Sequence, residues 1–430
     1  MQKLNPQQEI ATNSTARITY VDACAGSGKT TSIEAKIAKC LEDGVKPWNI
    51  TVLAFNNKIV DDIKVRFSQH FGELRANKMK IHTFHSYALN ILRRKKKKIN
   101  LMLTNDSELR TFIKKTWNEY KKLHHIKITN RQKGKNKVEK LFNMAKQCRE
   151  NNSHRKHYKE SMKKFYKFFK ERLIQTKTYD FARIIKVARD ELEPSNNIQH
   201  IFVDEFQDTS EARFDFLTTL VGKDNYLYAV GDEDQQLLEC FGVVNNNVAK
   251  LKGYYKDELC TYFLEYSHRL TPSLARRCNN LLASLPNRVR KIIIGMNSGK
   301  AEFAIKEFAY ENNETKWCVD YIKSLIQKGV NPEDIAVLYH NNDMIKKEIL
   351  DTGVHCSTIH KAKGLEFTYV IVLGVEEGIL PRNDRSIEED IRALYVAMSR
   401  SKQSLVLTYI KDGMRGNRRV SRSRFLDYVK

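Results

Sequence analysis

The chain has 430 residues, enough for two or three domains with ordinary cores; its 41% hydrophobic and 29% charged content fits a soluble globular protein, and 75 Lys+Arg against 51 Asp+Glu leave a net charge of +24. No apolar stretch is long enough to span a bilayer, and the opening MQKLNPQQEIATNSTARITY lacks the charged-then-apolar layout of a signal peptide, which argues against membrane insertion and export. The eight cysteines are scattered with no C-x-x-C pair, which argues against a zinc site or disulfide framework and for a reducing, intracellular compartment.

In chain order, the apolar runs ITYVDA (18–23), ITVLAF (50–55) and KMKIHTF (78–84) read as strands, the first two each followed by a helix-like stretch. Strands spaced by helices predict a parallel sheet covered on both faces. The rhythm breaks at RRKKKK (93–98), and from there to 177 the composition is Lys/aromatic with helical periodicity, as in ESMKKFYKFFKERL (160–173). Residues 93–177 hold 28 Lys/Arg and 7 Asp/Glu. A basic surface this concentrated favours a polyanion, nucleic acid above all, although a solvated Lys-rich face would read the same way. The aromatics of 160–170 fit helix packing better than a base-binding strip, and their lysines are the candidate contacts.

The α/β rhythm resumes at FARIIKVARDEL (181–192), with strands at 199–204 and 226–231. It starts afresh after 266, with a helix near 272–285 and strands near 301–306, 334–339 and 368–375. The basic tail GMRGNRRVSRSR (413–424) reads as loose until FLDYV (425–429). The predicted layout is one α/β domain from 1–92 and 178–265, a basic helical insertion at 93–177, and a second α/β domain at 266–430.

The segment Ala25–Thr31, AGSGKTT, follows a strand and opens a helix. Glycines Gly26 and Gly28 let backbone N–H groups turn inward around phosphate oxygens, Lys29 reaches the β/γ-phosphates of a nucleotide, and Thr30 offers a hydroxyl to Mg²⁺. A G-x-x-x-x-G-K-T pattern would place glycine at 23, where this chain has Ala23. IFVDEFQDTS (201–210) ends an apolar strand in two carboxylates. Asp204 can hold Mg²⁺ through water while Glu205 orients or deprotonates an attacking water.

With these two motifs the chain resembles the UvrD/Rep family of superfamily 1 helicases. The resemblance runs through LNPQQ (4–8), AFNNKIVDDI (54–63), HTFHSYALNIL (82–92), GDEDQQ (231–236), LEYSHR (264–269), TIHKAKGLEF (358–367), RALYVAMSRSK (392–402) and SRFLDYV (423–429), all in the family's order. It implies two RecA-like P-loop lobes with ATP in the cleft between them. Gln8 would read adenine and His268 would stack on it, with Ala25, Gly26, Ser27, Gly28, Lys29, Thr30 and Thr31 around the phosphates. Gln235, Arg269 and Arg400 would sense the γ-phosphate, and Glu366 would reach the ribose. Phe55, Asn57, Lys58, Thr83, Phe84, His85, Thr358 and His360 would face single-stranded DNA. The implied activity is a DNA-dependent ATPase that moves 3′→5′ on single strands and opens duplexes at single/double-strand junctions.

Three departures qualify the resemblance. QLLECFGV (236–243) lacks the family's base-stacking Tyr and Trp, leaving Phe241 either to stack in their place or to pack in a core. His268 replaces a Tyr. The family's large second accessory subdomain is missing, because Val354 is followed almost at once by Thr358. The expectation is a monomeric motor active by itself, or one whose unwinding needs a protein partner. A translocase that displaces proteins but unwinds little, and a nucleic-acid scaffold with a vestigial ATP site, are the alternatives.

Overall fold

The computed structural model describes residues 3–103, 105–126, 137–145, 159–193, 198–237, 247–286, 288–289, 291–383 and 386–430. Six strands form the first sheet: β1 (Ile18–Ala23), β2 (Ile50–Ala54), β3 (Lys80–Thr83), β4 (His200–Val203), β5 (Tyr226–Gly231) and β6 (Leu259–Leu264). They lie in the order β3-β2-β4-β5-β1-β6, all parallel. Five more form a second parallel sheet: β7 (Glu302–Phe308), β8 (Ile335–Tyr339), β9 (His355–Thr358), β10 (Phe367–Val372) and β11 (Ser401–Ile410), ordered β7-β11-β10-β8-β9.

Parallel strands need crossover helices, and helices on both faces demand apolar side chains on both faces of each strand. The central strands meet that demand: β1, β2 and β8 are buried along their whole length. Alternation then divides the layers. Tyr20, Leu53, Val203 and Ala229 join the core under helices Phe84–Arg94 and Phe181–Asp190, while Val21, Val52, Phe202 and Val230 join the opposite core under Lys29–Glu42 and Asn57–Phe71. In the second sheet Leu338 and Val372 face helices Pro272–Leu282 and Ile387–Met398, and Val337 and Ile371 face Glu311–Gln327. The first of these second-sheet cores also takes in Cys24, Ala25 and Leu237, so one apolar cluster runs from the second lobe to the phosphate loop.

The insertion has its own core. Phe165, Tyr166 and Phe169 pack inward with Ile113, Trp117 and Tyr120, and Lys164, Lys167 and Lys170 point outward. It is tied to the first lobe by a short parallel pair, 101–103 with 178–180. No helix among the described residues is long and apolar enough to cross a membrane.

One expectation fails. The tail after 412 is not loose: Gly413–Arg415 and Arg418–Val420 form an antiparallel hairpin. Its anchor is Arg415, whose buried guanidinium donates to Glu376 at 2.6 and 3.0 Å and lies 2.7 Å from Glu314. An arginine that looks solvated by composition is held by two carboxylates distant in sequence. Removing one partner of a buried ion pair costs about 3–5 kcal/mol, because the other is left unpaired in a poor solvent for charge. Arg415→Met should therefore destabilise the second lobe by about 3 kcal/mol in urea unfolding at neutral pH; a loss under about 1 kcal/mol would mean the hairpin is only a surface ornament.

Candidate nucleotide cleft and nucleic-acid track

The phosphate loop leaves β1 at Ala23 and enters the helix at Lys29. Ala23 needs no glycine's freedom, because it is still strand, paired with Leu264. Gly26 and Gly28 do, with φ of +75° and +79°. Space forbids a side chain as well: a Cβ on Gly26 would lie 2.5 Å from the Arg269 Cβ, and one on Gly28 would lie 2.6 Å from Gln8 Nε2. The loop is held from the second lobe, since Ser267 Oγ donates to Ala25 O at 2.7 Å and the His268 amide to Gly26 O at 2.9 Å. Ser27 is buried with its hydroxyl donating to Cys24 O, and the Thr31 hydroxyl accepts from Arg66.

Lys29 Nζ lies 3.0 Å from Glu205, and Thr30 Oγ1 lies 3.4 Å from Asp204. Both carboxylates follow β4, and Glu205 takes a left-handed conformation, φ +51°. Their surroundings drive them apart. Burial, with Glu205 beside it, pushes Asp204 up to about 6. Burial would push Glu205 up too, but Lys29 and Lys363 outweigh it and hold the group down at about 2. A pair so divided keeps Glu205 ionised and leaves the buried Asp204 carboxylate a place that a cation would stabilise.

Arg400 comes from the end of helix Ile387–Met398 and is 1% exposed. Its four hydrogen bonds go to neutral oxygens: Val396 O, Leu365 O, Ser399 Oγ and Gln235 Oε1, at 3.0 to 3.1 Å. Burial and the nearby Arg269 lower its pKa to about 9. A buried guanidinium without a carboxylate partner is an electrostatic deficit that phosphate oxygens would fill. Gln235 is held on its other side, Nε2 donating to Asp232 at 2.8 Å. Arg269 bonds Glu366 at 2.9 Å and Ser399 O at 3.0 Å, and Lys402 also pairs with Glu366.

Gln8 sits over the loop as the third residue of a capping box: its Oε1 accepts from the Asn5 amide and its Nε2 donates to Ser27 O at 2.9 Å. His268 is exposed beside it, its ring nitrogen 3.4 Å from the Asn5 amide nitrogen.

The residues nominated for DNA fall into two groups. A cavity of about 310 Å³ between the lobes is lined by Phe55, Lys58 and Glu205 from the first and by His360 and Lys363 from the second. Asn57 is exposed next to Lys58, opening helix Asn57–Phe71, and Thr358 ends β9 just ahead of His360. The segment at 83–85 does not line that cavity, although Thr83 is paired with Ala54, the residue before Phe55. Thr83 caps helix Phe84–Arg94, Phe84 is 3% exposed in the core, and His85 packs edge-on against Phe181 at 4.7 Å. Phe84 thus faces inward and anchors the segment. Phe241 lies outside the described residues.

Three further residues belong to this region. Lys363 donates to both Asp208 oxygens, at 2.6 and 2.8 Å, and to Gln235 O at 3.1 Å, bridging the lobes. Arg213 lies over the Phe55 ring at 4.7 Å. Tyr395 accepts from the Ala25 amide at 3.3 Å. The spacing T-x-H-x-x-K could have pointed to Lys363; nothing local marks Arg213 or Tyr395.

Residues 4–255 match the profile of the UvrD/REP helicase N-terminal domain, and 341–412 that of the UvrD-like helicase C-terminal domain. A probable DNA helicase of Mycoplasma pneumoniae is 24% identical over 455 residues, covering 95% of this chain and 84% of that relative. The ATP-dependent DNA helicase PcrA of Staphylococcus epidermidis is 26% identical over 80% of this chain, and that of Staphylococcus aureus 26% over 79%. The chain spans about half the length of these PcrA relatives, 48% in each case. The oxygens of Thr30 and Asp204, with a carboxylate already raised in pKa, fit a hard divalent cation such as Mg²⁺ that keeps most of its ligands from water and phosphate.

Because folding raises the Asp204 pKa, its contribution to stability is favourable at acid pH and is lost as pH rises through about 6. Asp204→Asn escapes that loss. In metal-free buffer it should melt a few degrees above the wild type near pH 8, at about 2–4 °C per kcal/mol, with the gap shrinking below about pH 6 and closing only at about pH 4, where the unfolded carboxyl also takes its proton. A variant melting lower at pH 8 would contradict the assignment.

Proposed function

We propose, for a chain that belongs to the UvrD/REP helicase family, that it is an ATP-driven motor moving 3′→5′ on single-stranded DNA and opening duplexes at single/double-strand junctions. The observation that carries the reading is the shared cavity: Phe55, Lys58 and His360, nominated for DNA, open onto the same space as Glu205 of the nucleotide cleft. A strand laid there would touch both lobes and lie within reach of the base that activates water.

In this reading residues 1–92 and 178–265 form the first RecA-like lobe, 266–430 the second, and 93–177 a basic accessory insertion. ATP is the substrate. The loop from Ala25 to Thr31 and Lys29 hold its phosphates, Gln8 and His268 flank its base, and Glu366 meets its ribose. Mg²⁺, held by Thr30 and through water by Asp204, neutralises charge on the phosphates when bound. Glu205 orients and deprotonates the attacking water. Arg269, Arg400 and Gln235 bring the second lobe's positive charge and one amide to the γ-phosphate, so ATP draws the lobes together and ADP lets them part. Phe55 offers a base a stacking face worth about 1–3 kcal/mol, without regard to sequence. Asn57, Thr358 and His360 grip the backbone.

A second reading has a specific support. Only the short helices Asn342–Met344 and Lys347–Leu350 stand between β8 and β9, where the family carries its second accessory subdomain. A chain so reduced acts as a monomer, and either unwinds alone, relies on a protein partner, or translocates and displaces proteins with little unwinding. A scaffold with a vestigial ATP site is disfavoured, since it needs none of Lys29, Glu205, Gln235 and Arg400.

Unwinding of 3′-tailed and 5′-tailed duplexes tests the proposal. The wild type should open the 3′-tailed substrate with a rate proportional to protein concentration, and Lys29→Ala should open neither. Displacement of streptavidin from a 3′ tail without strand separation would favour the translocase. Preference for the 5′ tail would overturn the polarity.

A further inference from the structure

Beneath the phosphate loop lies a charge cluster that the nucleotide and nucleic-acid readings leave unused. Lys291 is 1% exposed; its Nζ donates to Asp22 at 2.6 Å and to Asp232 Oδ1 at 2.8 Å, with Asp234 at 3.6 Å. Arg288 takes the same Asp234 with both arms of its fork, each at 2.8 Å. The three aspartates belong to the first lobe, Asp22 in β1 and the other two just after β5. The two cations come from the second lobe, beyond helix Pro272–Leu282.

The cluster is more than a weld, because Asp232 has a second oxygen. Its Oδ2 accepts from Gln235 Nε2 at 2.8 Å and lies 3.4 Å from the Tyr395 hydroxyl. Gln235 in turn offers Oε1 to Arg400 at 3.1 Å. The path Lys291–Asp232–Gln235–Arg400 begins and ends in the second lobe and passes through the first.

We propose that Lys291 is a positioning residue for Gln235, fixing which end of that amide faces Arg400 and carrying second-lobe movement to it. The inference rests on the ATP-motor reading above. An amide can turn end for end, and only its partners decide which way it points. An ionised Asp232 can only accept, so it takes the NH₂ end and turns the oxygen to the guanidinium. Without Lys291, the Asp232 carboxylate loses the contact that holds its Oδ1, and nothing on that side fixes where Oδ2 points. A carboxylate that swings away from Gln235 Nε2 frees the amide to turn its NH₂ against Arg400, donor against donor.

The test uses the full chain, ATP and a single-stranded oligothymidylate. In Lys291→Met the DNA-stimulated kcat should fall by about tenfold or more, while the KM for ATP and the Kd for the oligonucleotide stay within about threefold; Lys291→Arg should recover most of the rate. The pair Asp22→Asn/Lys291→Met removes one charge of each sign and gives the same reading should the single variant melt below the assay temperature. The discriminating background is Gln235→Ala, in which the Lys291 substitution should cost less than about twofold, because two residues acting through one another are not additive. Losses that multiply, or a folded Lys291 variant with an unchanged rate, would overturn the proposal. A wild type indifferent to DNA would instead overturn the motor reading.

Discussion

Charge that neither lobe can satisfy alone governs the arrangement of this molecule. Lys363 belongs to the second lobe and its two carboxylate contacts are on Asp208 of the first. Arg400, buried, gives its hydrogen bonds among the described residues to neutral oxygens, one of them from Gln235 across the cleft. Lys29 is matched by Glu205, yet burial and that same Glu205 push the pKa of Asp204 beside them upward. Burying such groups is costly unless partners arrive, so the two lobes are held against each other by unequal charge and polarised toward whatever anion enters between them.

That inequality suits a motor. A ligand moves an equilibrium between open and closed cleft only as far as its affinities for the two differ. On the proposed mechanism, a triphosphate reaching Lys29 on one side and Arg400 on the other would bind the closed cleft better, and a diphosphate, short of the second lobe, would discriminate less. A strand of nucleic acid in the cavity lined by Phe55, His360 and Glu205, as proposed, would feel the same closure. Lys363, touching both Asp208 and the Gln235 carbonyl at the edge of that cavity, is well placed to share it.

Much of this was legible in the sequence, for local reasons. The buried strands announce themselves because a parallel strand covered on both faces must be apolar throughout, as in ITYVDA and IAVLY. The phosphate loop is readable because two left-handed turns need two glycines, and Ala23 is excused because it stays in the strand. The aromatics of 160–170 follow helical periodicity into their core. What escaped was long-range. The tail reads as loose because Arg415 is one basic residue among many, and only Glu314 and Glu376, far back in the chain, make it an anchor. β6 and β11 escaped as strands: LCTYFL is a half-exposed edge strand, and SKQS opens β11 with four polar residues. Phe84 sits in a segment that resembles a DNA contact, while helix geometry turns its ring into the core and leaves His85 against Phe181.

The central claim is that both lobes build one DNA-driven catalytic centre, and the rate of ATP hydrolysis with and without a single-stranded oligonucleotide, for the wild type beside Arg400→Ala, tests it most directly. The account predicts strong stimulation by DNA in the wild type and a loss on the order of a thousandfold or more when the second lobe's arginine is removed. Hydrolysis that ignores DNA, or that survives in Arg400→Ala, would contradict it.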